Sequence, residues 1–213
     1  MNAKAPYHHG DLKEALLTAG EAVLREHGLQ GFTLRECARR AGVSHAAPKH
    51  HFGDVRGLLT EIAARGFEQL TRRLRTRLRA AGDDLDAQFL ATAQAYVGFA
   101  EAHPEHFRIM FRCDRFDPDA PVLMTAALET FTELTNVIRR QRGEAEITVS
   151  MLEPAMSSKQ LIGDILIGWC HIHGYAHLKL EGQLPMVSKA MEKELLSATS
   201  RRLARLIRSE ASK

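Results

Sequence analysis

The sequence predicts an all-α fold for this 213-residue chain, and three observations carry that prediction. Apolar residues recur at three- and four-residue spacing through almost every segment. No segment reads as a strand. Ser, Thr, Gly and Pro stand where the periodic segments begin and end. Hydrophobic residues make up 45% and charged ones 26%, ordinary globular usage that supplies a real core and excludes wholesale disorder and collagen-like structure.

The elements follow in order. Leu12, Ala15, Leu16, Ala19, Val23 and Leu24 define a first amphipathic helix, stopped by Gly28. Thr33 can cap a short helix, Leu34–Ala41, ended by Gly42, and Ser44 can cap another, His45–His51, ended near Gly53. A long helix runs from about Asp54 to Ala80 with Leu59, Ile62, Ala63, Phe67, Leu70 and Leu74 on one face. Then come Leu85–Ala102, a short piece Glu105–Arg112 opened by Pro104, and Val122–Arg142. A polar connection follows, then a helix from about Pro154 to Leu180 and a last one from Leu184 to Arg208, giving eight to nine helices. There is no internal repeat and no low-complexity tract.

Several classes fall away. The longest apolar stretch, Leu161–Trp169, is interrupted by Asp164, so no membrane span is expected. The opening MNAKAPYHHGDLK lacks the apolar run of a secretory signal. Cys37, Cys113 and Cys170 form no CxxC pair, which argues against a disulfide framework or zinc ribbon and fits a reducing cytoplasm. No Ser-His-Asp order, phosphate loop or nucleophile elbow is present, and no cofactor is called for.

Charge is distributed unevenly. Residues 1–81 carry 14 Lys and Arg against 8 Asp and Glu, whereas residues 82–213 carry 15 against 18. A basic head on a mildly acidic body points to a polyanion at the N-terminal end.

Thr33–Phe52, TLRECARRAGVSHAAPKHHF, supplies the motif. Two short capped helices joined at Ala41-Gly42-Val43-Ser44 make a helix-turn-helix, with Leu34, Cys37, Ala38 and Val43 as the locking apolar faces. The start of the second helix would point at base edges in a major groove. The DNA-facing candidates are Thr33, Arg35, Ser44, His45, Ala46, Lys49, His50 and His51. Two have competing roles: Thr33 as a cap, and His51 as a packing partner of Phe52. Lys4, His8 and His9 form a polar arm before the first helix. Pro48 in so short a helix predicts a tight or distorted opening turn.

Residues 7–67 resemble the N-terminal domain of the TetR family of bacterial transcriptional regulators. The resemblance rests on the amphipathic first helix, GFTLRECARRAGVS, the short helix ending in HF, and the following GLL. HPEHFRIMF at 103–111 also resembles family members. GWCHIHG at 168–174, with Trp169, His173 and Gly174, resembles the WHG-type TetR C-terminal domain. Where many members have an aromatic residue shortly before the HF pair, this chain has Lys49, able to serve the same phosphate as a point charge.

The resemblance implies a DNA-binding domain over residues 1–53, with the start of the connecting helix to about 67, and a ligand-binding and dimerisation domain over 68–213. It implies a ligand-responsive regulator of transcription, not an enzyme, most simply a repressor. Its partners would be a palindromic double-stranded operator, a second copy of the chain and a small-molecule effector, with no membrane. Phe67, Tyr96, Phe99, Phe107, Met110, Phe111, Trp169, Cys170 and His173 are the pocket candidates, each of which could equally be plain core. Leu184, Val187, Met191 and Leu195 are the dimer-seam candidates, on the last helix. The competing reading is an all-helical metal-dependent enzyme that uses His173 and His177, four apart on one helical face.

Overall fold

The computed structural model describes residues 9–211, the first three of them by backbone alone, so Lys4, His8 and the His9 side chain lie outside the described residues. Ten α-helices and one 3-10 turn account for the described elements, against the eight to nine expected. The chain divides into two compact units. One comprises residues up to Phe67 with Glu105–Thr125, the other Glu68–Pro104 with Ala126 onward. The boundary falls inside a helix.

The first unit contains α1 (His9–His27), α2 (Leu34–Ala41), α3 (Ala47–Phe52), the first half of α4 (Val55–Ala81), and α6 (Pro104–Met110). Leu16, Val23 and Leu24 of α1 are buried, as are Cys37 and Ala38 of α2 and Leu58 and Ile62 of α4. Together they form the period-3.6 face that the sequence displays. Residues 105–125, assigned from sequence to the second domain, belong to this unit because α6 buries His106, Phe107, Ile109 and Met110 here. Gly66 makes that packing possible: a Cβ there would lie 2.6 Å from the Met110 sulfur. The loop after α6 is tied down at Thr60, whose hydroxyl accepts the Asp117 N–H at 3.0 Å and donates to the Arg56 carbonyl at 2.8 Å.

The second unit is built around α5 (Leu85–Ala102), which packs on both α9 (Lys159–Leu180) and α10 (Lys189–Ala211). The Asp84 side chain caps α5 by accepting the Ala87 N–H at 2.7 Å. The rest of α4, α7 (Pro121–Gln141) from Ala126 onward, a 3-10 turn (Val149–Met151) and α8 (Leu152–Ala155) complete the unit. Phe89, Val137, Ile138, Leu161, Ile165, Ala204 and Ile207 form one buried cluster.

Two predicted boundaries are corrected. The helix expected from Pro154 to Leu180 is broken: α8 stops at Ala155, and α9 starts afresh because the Ser158 hydroxyl accepts the Leu161 N–H. The last helix starts at Lys189 rather than Leu184. Pro185 disfavours helical geometry at Leu184, and the Ser188 hydroxyl accepts the Met191 N–H at 3.3 Å.

Candidate nucleic-acid interface

Thr33 sits in extended backbone and its hydroxyl accepts the Glu36 N–H at 3.2 Å, so it caps α2. Gly42 ends α2 in the left-handed region, φ 67°, where a residue with a Cβ is strained. α3 does not begin as predicted. Ser44–Ala46 is a turn, the Ser44 carbonyl accepts the Ala47 N–H at 3.0 Å, and α3 starts at Ala47 with no side-chain cap. The reason is Pro48. In a helix beginning at His45 it would remove a needed N–H, whereas in the first turn of a helix beginning at Ala47 no N–H is needed. Pro48 is buried, so it also anchors the helix.

The next turn is fixed by Gly57. A Cβ at this position would stand 1.9 Å from the Phe52 carbonyl oxygen, so only glycine lets α4 start so close to the end of α3. The Asp54 carboxylate accepts the Gly57 N–H at 2.9 Å.

This scaffold leaves a polar surface. Thr33, Arg35, Ser44, His45, Ala46, Lys49 and His50 are all exposed. His51 is half-buried, its ring 6.1 Å from Phe52 and 5.4 Å from His50. Arg39 is held by both carboxylate oxygens of Glu36, and Arg40 by both of Glu26. These bonds hold the Glu36 and Glu26 carboxyls below their ordinary pKa. Arg35 and Lys49 have no such partner among the described residues. Nor does Arg56, exposed in the first turn of α4. Sequence reading passed over Arg56, although a cation one turn past the helix-turn-helix was signal enough to find it. Cys37 is buried between the helices, and burial pushes its thiol up to about 11, so it packs rather than reacts.

The pocket candidates divide between the units. In the first, Phe107 and Met110 are fully packed, and Phe111 lies edge-on to both Phe67 (5.8 Å) and Phe107 (5.3 Å). In the second, Phe99 is buried and Cys170 is exposed. Tyr96, Trp169 and His173 converge: the Tyr96 hydroxyl is 2.8 Å from His173 Nδ1, and the Trp169 indole N–H donates to the Tyr96 oxygen at 3.3 Å. Burial, then the neighbouring His177, pushes His173 down to about 4. Beside Trp169 lies an apolar cavity of about 30 Å³ bounded by Phe89, Phe131, Val137, Ile165, Gly168 and Ile172. A cavity of this size holds a water or two. The His173 and His177 rings are 4.6 Å apart, and no third His, Cys, Asp or Glu completes a metal-holding group among the described residues.

The seam candidates also divide. Leu184 and Val187 precede α10 and are half-buried, Met191 is exposed and Leu195 is half-buried. α10 turns Leu196, Ser200, Ala204 and Ile207 to the core, leaving Met191 and Leu206 outside. α9 leaves Leu166, Ile167 and Leu178 exposed. Among the described residues no helix is long and apolar enough to cross a membrane.

A capped helix-turn-helix presenting unpaired cations, followed by a separate helical unit, defines a DNA-binding regulator. The comparisons with known proteins agree. Residues 16–62 match the profile of bacterial regulatory proteins of the tetR family, and residues 89–203 match the tetracyclin repressor-like C-terminal domain. The chain belongs to the TetR family of transcriptional regulators, which are DNA-binding transcription factors and not enzymes. The metal-enzyme reading of His173 and His177 is therefore withdrawn.

A solved structure of a protein of unknown function from Rhodococcus sp. RHA1 is 31% identical, with TM-score 0.77 over 95% of this chain and 98% of that one. The TetR-family regulator PfmR from Thermus thermophilus shares the fold, with TM-score 0.55 at 17% identity over 91% of this chain and 93% of that one. The transcriptional regulator CymR of Pseudomonas putida is 41% identical over 63 residues, 30% of this chain and 31% of that protein. The chain thus matches less than a third of that relative's length. GWCHIHG at 168–174, on which the WHG resemblance rests, lies inside the matched C-terminal domain.

Proposed function

We propose that the protein is a dimeric repressor that binds a palindromic operator and is released by a small-molecule effector. The observation that carries this reading is the exposed surface of the helix-turn-helix. Arg35, Lys49 and Arg56 have no ion-pair partner among the described residues, whereas the neighbouring Arg39 and Arg40 are neutralised. Unpaired cations beside exposed Thr33, His45 and His50 suit phosphates flanking base edges. Two such heads would read half-sites about 34 Å apart. The exposed apolar side chains of α9 and α10 support pairing with a second copy. The cavity beside Trp169 supports an apolar effector that must widen it to enter, since ligand pockets commonly run to ~300 Å³ or more. An effector that weakens operator binding is itself bound less well by the operator complex.

Selection of duplexes from a random pool tests the reading. A two-fold symmetric consensus, bound more weakly as salt rises, is expected. Failure to enrich any duplex would overturn it.

A further inference from the structure

The second unit carries a groove of about 570 Å³ between α4, α5, α9 and α10. It shares no lining residue with the apolar cavity. Five cations line it. Lys179 is already satisfied by Glu101 at 2.7 Å and Glu192 at 2.8 Å, the two carboxylates of the groove. The side chains of the other four, Arg73, Arg77, Lys189 and Lys193, form no hydrogen bond or ion pair among the described residues. They come as two like-charged i,i+4 pairs, one on α4 and one on α10, an arrangement that opposes helix formation unless a counter-charge is supplied.

Arg73 adds a second, independent sign. Its Nε is buried and has no hydrogen-bond partner among the described residues, a costly condition for a charged donor. Its guanidinium lies over Gly98 of α5, where a Cβ would come within 2.6 Å of the Arg73 Nη2. Glycine at 98 thus leaves room for the Nη2 end of this five-donor cation against α5. Val97, Leu196 and Tyr175 supply an apolar side to the same groove.

We propose that this groove binds a small organic molecule bearing two or more negative charges, as a phosphate ester or a polycarboxylate. Arg73 is its principal donor, Arg77, Lys189 and Lys193 supply the surrounding field, and Val97, Leu196 and Tyr175 take the ligand's apolar part. The size of the groove is that of a small-molecule site, and fork-shaped guanidinium recognition favours oxyanions. The proposal does not depend on the regulatory reading above.

Calorimetric titration of the full chain with inorganic pyrophosphate, and separately with citrate, tests it at fixed ionic strength. Saturable binding of at least one probe at one site per chain is expected, and the tighter of the two identifies phosphate or carboxylate as the preferred group. Arg73→Gln should weaken it about tenfold or more, the loss of a charge-assisted hydrogen bond. Gly98→Ala should weaken it comparably while keeping every charge, because the new methyl displaces the guanidinium and leaves a good helix residue. Arg79→Gln, on the same helix but outside the groove, should change nothing. Absence of binding by either probe, or binding unaffected by Arg73→Gln and Gly98→Ala, overturns the proposal. So does binding lost in Lys49→Ala instead, which places the anion on the helix-turn-helix. Displacement of pyrophosphate from the groove by a short duplex of unrelated sequence would assign the groove to nucleic acid and overturn it as well.

Discussion

Gly57 fixes the head's geometry, and Lys49, exposed on its surface, is expected to act on affinity alone. A methyl at Gly57 meets a backbone oxygen at 1.9 Å, and backbone cannot swing aside as a side-chain tip can. Gly57→Ala is expected to cost about 1–3 kcal/mol, the range for overpacked sites, read as a lower denaturation midpoint. An unchanged midpoint would mean that the α3–α4 junction relaxes freely. Lys49 is exposed and lacks an ion-pair partner among the described residues, so Lys49→Ala should leave folding intact. It should weaken binding to all duplexes alike and reduce the salt slope by about one. A loss confined to particular operator positions would instead make Lys49 a base reader. The exposure of Thr33, Arg35 and Lys49 was legible in the sequence, since each stands off the apolar period. The start of α3 was not. Ser44 offers a cap for a helix from His45, Pro48 lacks an N–H that such a helix would need, and the structure follows Pro48.

α9 and α10 show what amphipathic periodicity reveals and what it hides. The large apolar residues of the last helix suggested a seam through Leu184, Val187, Met191 and Leu195, yet the core side is Leu196, Ser200, Ala204 and Ile207. Small side chains at Ser200 and Ala204 let α10 approach the core closely, and they contribute little to a hydrophobic pattern. The pattern therefore points at the outward side, which is the side that a second copy would need. α9 adds exposed apolar residues of its own: Ile167, with Leu166 before it and Leu178 three turns on. Ile167→Glu places a carboxylate where a dimer would bury it, at a cost on the order of 3 kcal/mol of association. The folded chain should be little affected, because Ile167 is 46% exposed. Sedimentation should then show a monomer with native helix content. A variant that stays dimeric would move the seam away from α9.

At the scale of the whole molecule, the aromatic residues were legible but their grouping was not. Periodicity gives the face of a helix and not its neighbour, so pocket candidates drawn together from the sequence separate into two units. In the second unit, Tyr96, Trp169 and His173 form a hydrogen-bonded row that no spacing announces, since Tyr96 and His173 lie 77 positions apart in sequence. This row makes a testable demand on acid stability. His173 faces the Tyr96 hydroxyl, Trp169 and His177, and its burial, with the charge of His177 second, lowers it from 6.5 to about 4. Burial also lowers His171, which lies against the Thr199 hydroxyl. For a base whose folded pKa lies below its unfolded value, the unfolded chain binds more protons between the two values, so stability falls as pH falls from about 6.5 to about 4. Glu21 acts lower down. Its own burial would raise it, but hydrogen bonding and charge from His106 and Arg65 outweigh that and hold it below 4.5. Its contribution is therefore present above 4.5 and lost below. The thermal midpoint should decline from about pH 7 to 4.5 in the wild type and decline less in His173→Gln, whose amide keeps an acceptor for Tyr96 and carries no titrating proton. Below about pH 4.5 both should drop together as the carboxylates protonate. Parallel curves over the upper range would show that His173 takes up its proton without leaving the row, and that acid sensitivity resides elsewhere in the molecule.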